Sequence, residues 1–254
     1  MNQQSPLSIG ILGTGHIGKT LARKLAAAGH SVKVANSRGP ETIDADTLET
    51  GAVPVKAEQA VSDVDIVILS VPLIRIPEIA PLILRLPPEV IVADTSNYYP
   101  HRDRKIDAIE GGQVESQWVE EQLGRPVIKA WNAIGSGSFA AKGKPAGAES
   151  RIAIPVAGDN SAHRELIMKL VSDTGFDAYD AGSLADSWRQ QPGSPVYCTD
   201  LHYNEIAAAL ASAEASRLAT RRDLAAAIFH ERAGDSTTNP DADFGVKVSR
   251  LLFM

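Results

Sequence analysis

Residues 9–18 read IGILGTGHIG, a short apolar run that leads directly into the pattern G-x-G-x-x-G. The pattern predicts a strand, a tight turn and the start of a helix, because Gly13 permits the turn and Gly18 lets the helix pack close to the strand. Gly15 lets a pyrophosphate approach the backbone, where the first helical turn offers amide N–H groups and the positive end of the helix dipole. We therefore interpret this segment as a dinucleotide-binding turn; the alternative is a purely structural glycine-rich turn.

Further apolar runs alternate with helical patterns along the chain, as expected for a parallel sheet flanked by helices. The runs are rich in valine and isoleucine without polar alternation, which is typical of strands buried on both faces. The predicted strands are residues 9–12, 32–35, 53–55, 66–70, 90–94 and 127–130. The pattern predicts the α/β class: a Rossmann-type, doubly wound and mostly parallel sheet, followed by a small, mainly helical C-terminal part.

The C-terminal part begins near residues 135–150, where we place the domain boundary. Residues 1–150 form the predicted nucleotide-binding domain and residues 151–254 the rest. In the second part we predict a strand at 152–157, a helix from Asn160 or Ser161 to Gly175, and a loop at 183–198. A helical pair from Tyr203 to about Arg232 and an apolar tail at 246–254 complete the prediction.

Composition and charge narrow the classes of protein to which the chain can belong. Of its 254 residues 44% are hydrophobic and 22% charged, as in a globular protein. The net charge of −6 argues against nucleic acid as a partner, because it would repel a polyphosphate backbone. The single Cys198 excludes an intrachain disulfide and any metal site that needs several cysteines. The longest apolar stretch, 64–76, is too short to cross a bilayer, and the N-terminus lacks a signal-peptide pattern, so we expect a cytoplasmic protein without a membrane partner.

The end of the predicted second strand indicates which nucleotide is bound. A carboxylate there would bind the ribose hydroxyls of NAD, but the sequence reads Asn36-Ser37-Arg38, and the next acidic residue is Glu41. Ser37 can donate a hydrogen bond, and the planar guanidinium of Arg38 suits a phosphate. We therefore predict that this segment binds NADP rather than NAD; the alternative is a solvated turn before Pro40.

The reactive ring of the nucleotide should lie at the carboxyl edge of the sheet, where doubly wound folds bind their ligands. Residues 70–72, 94–97 and 130–137 follow the fourth, fifth and sixth predicted strands. Pro72 ends its strand either as a flat wall against the nicotinamide ribose or as a simple terminator. Residues 135–138 do not form a nucleophile elbow, and we expect Lys129, which lies within a predicted strand, to have a supporting or surface role rather than to act as an acid. We therefore predict no catalytic residue and no metal site.

Together these segments resemble a known family. The chain resembles the NADPH-dependent reductases of coenzyme F-420, an 8-hydroxy-5-deazaflavin. The resemblance is carried by seven segments: residues 13–18, 36–38, 70–72, 94–97, 129–134, 157–159 and 180–182. They also resemble the NADPH-binding domain of the six-transmembrane metalloreductases. The resemblance covers roughly residues 8–190 and implies a Rossmann domain with a small C-terminal part, often a homodimer, and hydride transfer between NADP(H) and a flavin-like ring.

The resemblance also implies roles for individual residues. It places Thr14, His16 and Ile17 at the pyrophosphate, Ser37 and Arg38 at the 2′-phosphate, and residues 70–72 near the nicotinamide. Ile134 and Ser136 would line the acceptor side. Asn132 stands where the deazaflavin enzymes have histidine; it either hydrogen-bonds the acceptor or the carboxamide, or serves as a turn residue. The candidate cofactor-binding residues are Gly13, Thr14, Gly15, His16, Ile17, Gly18, Asn36, Ser37, Arg38, Ser70, Val71 and Pro72, and the candidate substrate-binding residues are Asn132, Ile134 and Ser136.

The predicted activity is an NADP-dependent oxidoreductase that transfers a hydride between NADP(H) and a small acceptor, coenzyme F-420 or a flavin. Such transfer depends chiefly on positioning the two rings, so an obvious catalytic dyad is not required. One alternative is an imine or carbonyl reductase similar to pyrroline-5-carboxylate reductase, which would need a proton donor that the sequence does not reveal. Another is an NADPH-binding sensor without turnover. We further expect a homodimer, with the apolar tail packed on the body of the subunit or on its partner.

Overall fold

The computed structural model describes residues 5–234 and 241–254. Its strands are β1 (Ser8–Leu12), β2 (Ser31–Ala35), β3 (Val53–Pro54), β4 (Ile66–Leu69), β5 (Ile91–Asp94), β6 (Ile128–Lys129), β7 (Ala153–Val156) and β8 (Asp177–Asp180). Its α-helices are α1 (His16–Ala27), α2 (Ala45–Leu48), α3 (Ala57–Ala60), α4 (Ile76–Ile83), α5 (Pro100–Asp103), α6 (Asp107–Glu110), α7 (Glu115–Leu123), α8 (Ser136–Ala141), α9 (Ser161–Asp173), α10 (Tyr203–Ala211), α11 (Leu218–Ala233) and α12 (Ala242–Phe253).

The first six strands form one parallel sheet in the order β3-β2-β1-β4-β5-β6. This is the strand order of the Rossmann fold, in which the direction of winding reverses between β1 and β4. In the register of the sheet, Ile9 lies beside Val32 on one side and Ile66 on the other. The predicted fold class is therefore confirmed, and the switch point lies at the glycine-rich turn that follows β1.

Apolar side chains cover both faces of this sheet. Alternate positions of one strand point to opposite faces: Ile66 and Ile68 belong to the buried cluster that contains α1, whereas Val67 and Leu69 belong to the cluster that contains α4 and α7. Double-sided burial explains why the predicted strands read as continuous valine and isoleucine runs.

The C-terminal part builds on the edge of the sheet at β6. Strands β7 and β8 form a separate parallel pair, and an antiparallel bridge between Lys129 and Ala157 links this pair to β6. The predicted strand at 152–157 and the following helix are present, with the helix capped by the side chain of Asn160.

The sequence prediction was incomplete in three places within this part. Strand β8 was missed because its sequence, DAYD, carries no run of apolar residues. Residues 183–198, predicted as loop throughout, contain a 3₁₀ helix at Leu184–Gln190. The predicted apolar tail at 246–254 falls largely within helix α12, which begins at Ala242. Within the described ranges, no helix has the length and apolar character needed to span a bilayer.

Candidate functional site

The turn between β1 and α1 has the geometry that its glycines predict. Gly13 has a φ of 108°, and a Cβ atom there would lie 2.1 Å from the carbonyl oxygen of Ser70. A Cβ atom on Gly18 would lie 2.1 Å from the carbonyl oxygen of Gly13. Gly15 differs, since a Cβ atom there would meet nothing within 4 Å. Two of the glycines are thus required by packing, whereas Gly15 leaves open space at the start of the helix.

That open space lies at the N-terminus of α1. Gly15 is the N-cap residue and provides no side-chain cap, and the first turn of the helix contains no acidic residue. The N–H groups of this turn have no partner within the helix itself, and the helix dipole adds positive potential. His16 is exposed, and Thr14 and Ile17 are half-buried. The turn therefore fits a pyrophosphate group.

The segment after β2 is held in a defined turn by Asn36. Its Oδ1 atom accepts hydrogen bonds from the backbone N–H groups of Arg38, at 3.0 Å, and Gly39, at 2.9 Å. Its Nδ2 atom donates to the hydroxyls of Thr42 and, at 3.4 Å, Thr14. Asn36 thus shapes the loop and joins it to the glycine-rich turn.

Ser37 and Arg38 at the tip of this loop are both exposed. Among residues 5–234 and 241–254, the guanidinium of Arg38 forms no ion pair with a carboxylate. A hydroxyl and an uncommitted guanidinium one strand away from the pyrophosphate turn suit the 2′-phosphate of NADP. The residues present therefore fit this dinucleotide.

A cavity of about 500 Å³ extends from the glycine-rich turn along the carboxyl edge of the sheet. It brings together nine of the predicted site residues: Gly15, His16, Ile17, Ser70, Val71, Pro72, Asn132, Ile134 and Ser136. The other six, Gly13, Thr14, Gly18, Asn36, Ser37 and Arg38, do not line it. Gly13, Thr14 and Gly18 lie at the glycine-rich turn, and Asn36, Ser37 and Arg38 follow β2.

Asn132 lies in the wall of this cavity, but its side-chain amide is engaged within the protein. Its Nδ2 atom donates to Oδ1 of Asn97 at 3.1 Å and to the carbonyl of Gln190 at 2.8 Å. Its Oδ1 atom accepts from Nε2 of Gln190 at 2.9 Å. Asn132 is 2% exposed, so it ties the cavity wall to the 3₁₀ helix of the C-terminal part.

Behind the cavity lies a group of buried charges. The Lys129 ammonium contacts a carboxylate oxygen of Asp94 at 2.7 Å, and it also donates to the carbonyl of Ser96. Glu115 lies nearby and accepts a hydrogen bond from the backbone N–H of Tyr98. Burial raises the pKa of Glu115 to about 7, although the charge of Lys129 acts to lower it. These groups stabilise the sheet edge and do not line the cavity.

The structure adds residues to the cavity that the sequence analysis did not identify. They come from the segment after β5, from the loop before α10, and from helices α11 and α12: Tyr99, Arg102, Tyr197, Cys198, Arg222, Phe229 and Phe253. Tyr99 and Arg102 lie just beyond residues 94–97, so extending that segment by a few residues would have found them. The others have no local signal, because only the tertiary fold brings them to the sheet.

Two tyrosines that line this cavity are hydrogen-bonded to each other. The hydroxyl oxygens of Tyr99 and Tyr197 lie 2.8 Å apart, and the guanidinium carbon of Arg102 lies 5.4 Å from the ring centre of Tyr99. Burial raises the pKa of both phenols, and it raises the pKa of the adjacent Cys198 thiol to about 12. All three groups are therefore protonated at neutral pH.

Comparison with known proteins relates both the sequence and the fold to oxidoreductases. Residues 8–98 match the model of a family described as NADP oxidoreductase, coenzyme F-420-dependent. The solved structure of the hypothetical protein SMa0349 from Sinorhizobium meliloti is 30% identical, with a TM-score of 0.67. The match covers 78% of this chain and 97% of SMa0349.

More distant structures share the fold alone. A proposed F-420-dependent NADP reductase from Arthrobacter is 18% identical with a TM-score of 0.54, over 71% of this chain and 87% of that protein. Glycerol-3-phosphate dehydrogenase from Coxiella burnetii is 16% identical with a TM-score of 0.55, over 96% of this chain and 81% of that enzyme.

In sequence, the Escherichia coli protein YjhV is 54% identical over 56 residues, which are 22% of this chain and 41% of YjhV. The chain thus spans about two fifths of the length of that curated relative.

Proposed function

The chain belongs to the family of coenzyme F-420-dependent NADP oxidoreductases, as its motifs predicted, and from this premise we propose that it transfers a hydride between NADP(H) and a flavin-like ring such as that of coenzyme F-420. The observation that carries the proposal is the continuity of the 500 Å³ cavity. It runs from the phosphate-binding turn past Ser70, Val71 and Pro72 to a wall formed by Ile134 and Phe229. A nicotinamide ring and a second flat ring can share such a space.

The assignment of NADP rests on the two ends of the nucleotide site. Gly15 leaves room for the pyrophosphate at the start of α1, and Ser37 and Arg38 lie exposed at the tip of the next loop. A guanidinium and a hydroxyl favour a phosphate over the ribose hydroxyls that a carboxylate would bind.

Hydride transfer in this site depends on positioning. Pro72 and Ile134 both provide apolar surface in the cavity, against which the nicotinamide can be held. Holding the donor and acceptor carbons in near-attack geometry can lower a barrier by about 7–11 kcal/mol. NADP supplies the hydride chemistry when bound; the chain's residues orient the rings and exclude water.

A second candidate, reduction of a carbonyl or imine, is favoured by one specific observation. The Tyr99–Tyr197 hydroxyl pair lies in the cavity wall, and reduction of a carbonyl requires a proton at its oxygen. Arg102 and Arg222 also line the cavity, and each is paired with the carboxylate of the residue that follows it in the chain.

Stopped-flow measurement of NADPH oxidation tests the proposal directly. The purified protein is mixed with NADPH and, in separate experiments, with coenzyme F-420, FMN and a panel of small carbonyl compounds. We expect rapid oxidation with F-420. Oxidation by the carbonyl panel alone would favour the second candidate, and NADPH binding without oxidation by any acceptor would indicate a sensor and refute both enzyme assignments.

A further inference from the structure

We propose that Tyr99, assisted by Tyr197, donates the proton that accompanies the hydride to the acceptor. The proposal rests on the proposed hydride transfer and adds to it a catalytic residue and a requirement on the acceptor. The carbon that receives the hydride must be conjugated to a nitrogen or oxygen that takes up a proton. A deazaflavin ring and a carbonyl compound both meet this requirement.

Both tyrosines line the cavity that the proposed function assigns to the two rings. Tyr99 follows β5 and Pro72 follows β4, so both lie at the carboxyl edge of the sheet and line the same cavity. The cavity also includes Gly15 and Ile134, which the proposed function assigns to the nucleotide and to the acceptor respectively. A ring held between them therefore lies in the compartment that contains both phenols.

Each tyrosine is held by contacts that fix its backbone. The N–H of Tyr99 donates to Oδ2 of Asp103 at 2.9 Å, and that carboxylate is fully buried beside Arg102. The N–H of Tyr197 donates to the carbonyl of Ser194 at 3.0 Å. The next residue, Cys198, donates its N–H to the carbonyl of Ala133, beside Ile134. With the backbone held in this way, the hydrogen bond between the two hydroxyls orients both phenols, as a proton donor requires.

The surroundings identify Tyr99 as the donor. Burial raises the pKa of Tyr99, whereas the hydrogen bond with the Tyr197 hydroxyl and the positive charge of Arg102 act to lower it. Both influences stabilise the phenolate that forms as the proton leaves. The guanidinium carbon of Arg102 lies 5.4 Å from the ring centre of Tyr99, so we assign the donor role to Tyr99 and a supporting role to the Tyr197 hydroxyl.

In the proposed reaction, the hydride and the proton reach two different atoms of the acceptor. The C4–H bond of the dihydronicotinamide breaks, and its hydride forms a new C–H bond on the acceptor. The electron pair displaced from the acceptor's double bond moves to the conjugated nitrogen or oxygen and takes the hydroxyl proton of Tyr99. NADPH is oxidised to NADP⁺, the acceptor is reduced, and the Tyr99 phenolate recovers a proton from water.

The test compares the wild-type chain with Tyr99→Phe, Tyr197→Phe and a matched control, Tyr179→Phe. Tyr179 contacts another tyrosine ring, that of Tyr203, but it does not line the cavity. NADPH oxidation is followed with coenzyme F-420 and with the carbonyl panel, in H₂O and in D₂O, and NADPH binding is measured by calorimetry. The acceptor that wild type reduces distinguishes the two acceptor classes.

We expect Tyr99→Phe to lower kcat by about 10²- to 10³-fold, the range for loss of a general acid. Its NADPH affinity and KM should change less than about twofold, and the solvent isotope effect on kcat should differ from that of wild type. Tyr197→Phe should show a smaller loss of kcat, and Tyr179→Phe none. An altered solvent isotope effect would not arise from a merely structural role.

Two results would overturn the assignment, and they differ from failure of the proposed function. A folded Tyr99→Phe variant that retains wild-type kcat removes Tyr99 as the donor while leaving hydride transfer intact. If Tyr99→Phe does not fold, a folded Tyr197→Phe variant with unchanged kcat and unchanged solvent isotope effect overturns the role of the pair. A wild-type chain that binds NADPH but reduces no acceptor refutes the proposed function, and this assignment with it.

Discussion

The ammonium nitrogen of Lys129 lies 2.7 Å from Oδ2 of Asp94, and neither side chain is exposed to solvent. The pair joins the last two strands of the sheet at the carboxyl edge that bounds the candidate site. Removing one member of a buried ion pair leaves the other charge uncompensated, which destabilises proteins by about 3–5 kcal/mol. We expect Lys129→Met to reduce the free energy of unfolding by that amount, measured by urea denaturation.

A surface ion pair provides the control for that measurement. Arg75 and Glu78 contact each other at 2.6 Å, but their side chains are 59% and 60% exposed. Arg75→Met should change the free energy of unfolding by less than about 1 kcal/mol, because solvent screens exposed pairs. Equal effects of the two substitutions would show that burial does not determine the contribution of Lys129.

The choice between NADP and NAD should depend on Arg38. A hydrogen bond to a charged group contributes about 1.5–3 kcal/mol, so Arg38→Ala should weaken NADPH binding by about 10- to 100-fold and leave NADH binding unchanged. Calorimetric titration of both nucleotides measures this difference. Arg217→Ala, which changes an exposed arginine on another face, should bind NADPH as wild type does. A wild-type preference for NADH would contradict the prediction.

Substitutions of Gly15 and Gly18 should have different effects on NADPH binding and on the stability of the fold. Gly15→Ala introduces a methyl group where the chain itself leaves open space. It should therefore change the free energy of unfolding by about 1 kcal/mol or less but lower NADPH affinity at least tenfold. Gly18→Ala brings a methyl group against the carbonyl of Gly13 and should destabilise the fold by about 1–3 kcal/mol. Thermal unfolding and calorimetry on both variants measure the contrast; similar stability losses in the two would contradict it.

Glu115 should make stability depend on pH. Its pKa is raised from the usual 4.5 to about 7 by burial, so the folded chain binds this proton more tightly than the unfolded chain does. The stability that results is fully present below about pH 4.5 and is lost as pH rises towards 7 and above. Glu115→Gln does not titrate, so its stability relative to wild type should increase by about 3 kcal/mol between pH 4.5 and pH 8. Urea denaturation across this range provides the measurement, and a constant difference would refute the assignment.

The predicted homodimer can be tested on helix α12. Phe253 is buried within the subunit, whereas Leu251 is 81% exposed, so the tail packs on its own subunit and still leaves apolar surface uncovered. If that surface joins two copies, Leu251→Glu should convert a dimer to a monomer in sedimentation while the far-ultraviolet circular dichroism is retained. Leu84→Glu, at an exposed leucine on α4's C-terminal end, should leave the sedimentation unchanged. A wild-type chain that sediments as a monomer would contradict the predicted homodimer.

Local patterns were sufficient to predict the sheet and the geometry of the glycine-rich turn. The apolar runs of β1, β2 and β4 and the glycines at 13, 15 and 18 act within one βαβ unit, where backbone geometry and neighbouring contacts decide the structure. The absence of a carboxylate after β2 is likewise visible without coordinates. Strand β8 had no such signal, because its residues pair with β7 through the backbone while their side chains remain largely polar.

The composition of the cavity was decided by long-range packing. Tyr99 and Tyr197 are separated by 98 positions along the chain, yet their hydroxyls form one hydrogen bond. Helices α11 and α12 supply Phe229 and Phe253 to the same wall, although nothing in their alanine-rich or apolar patterns indicates which surface they cover. Periodicity shows which face of an element is buried but not what covers that face. The tyrosine pair of the candidate site therefore forms only when the C-terminal part is folded onto the sheet.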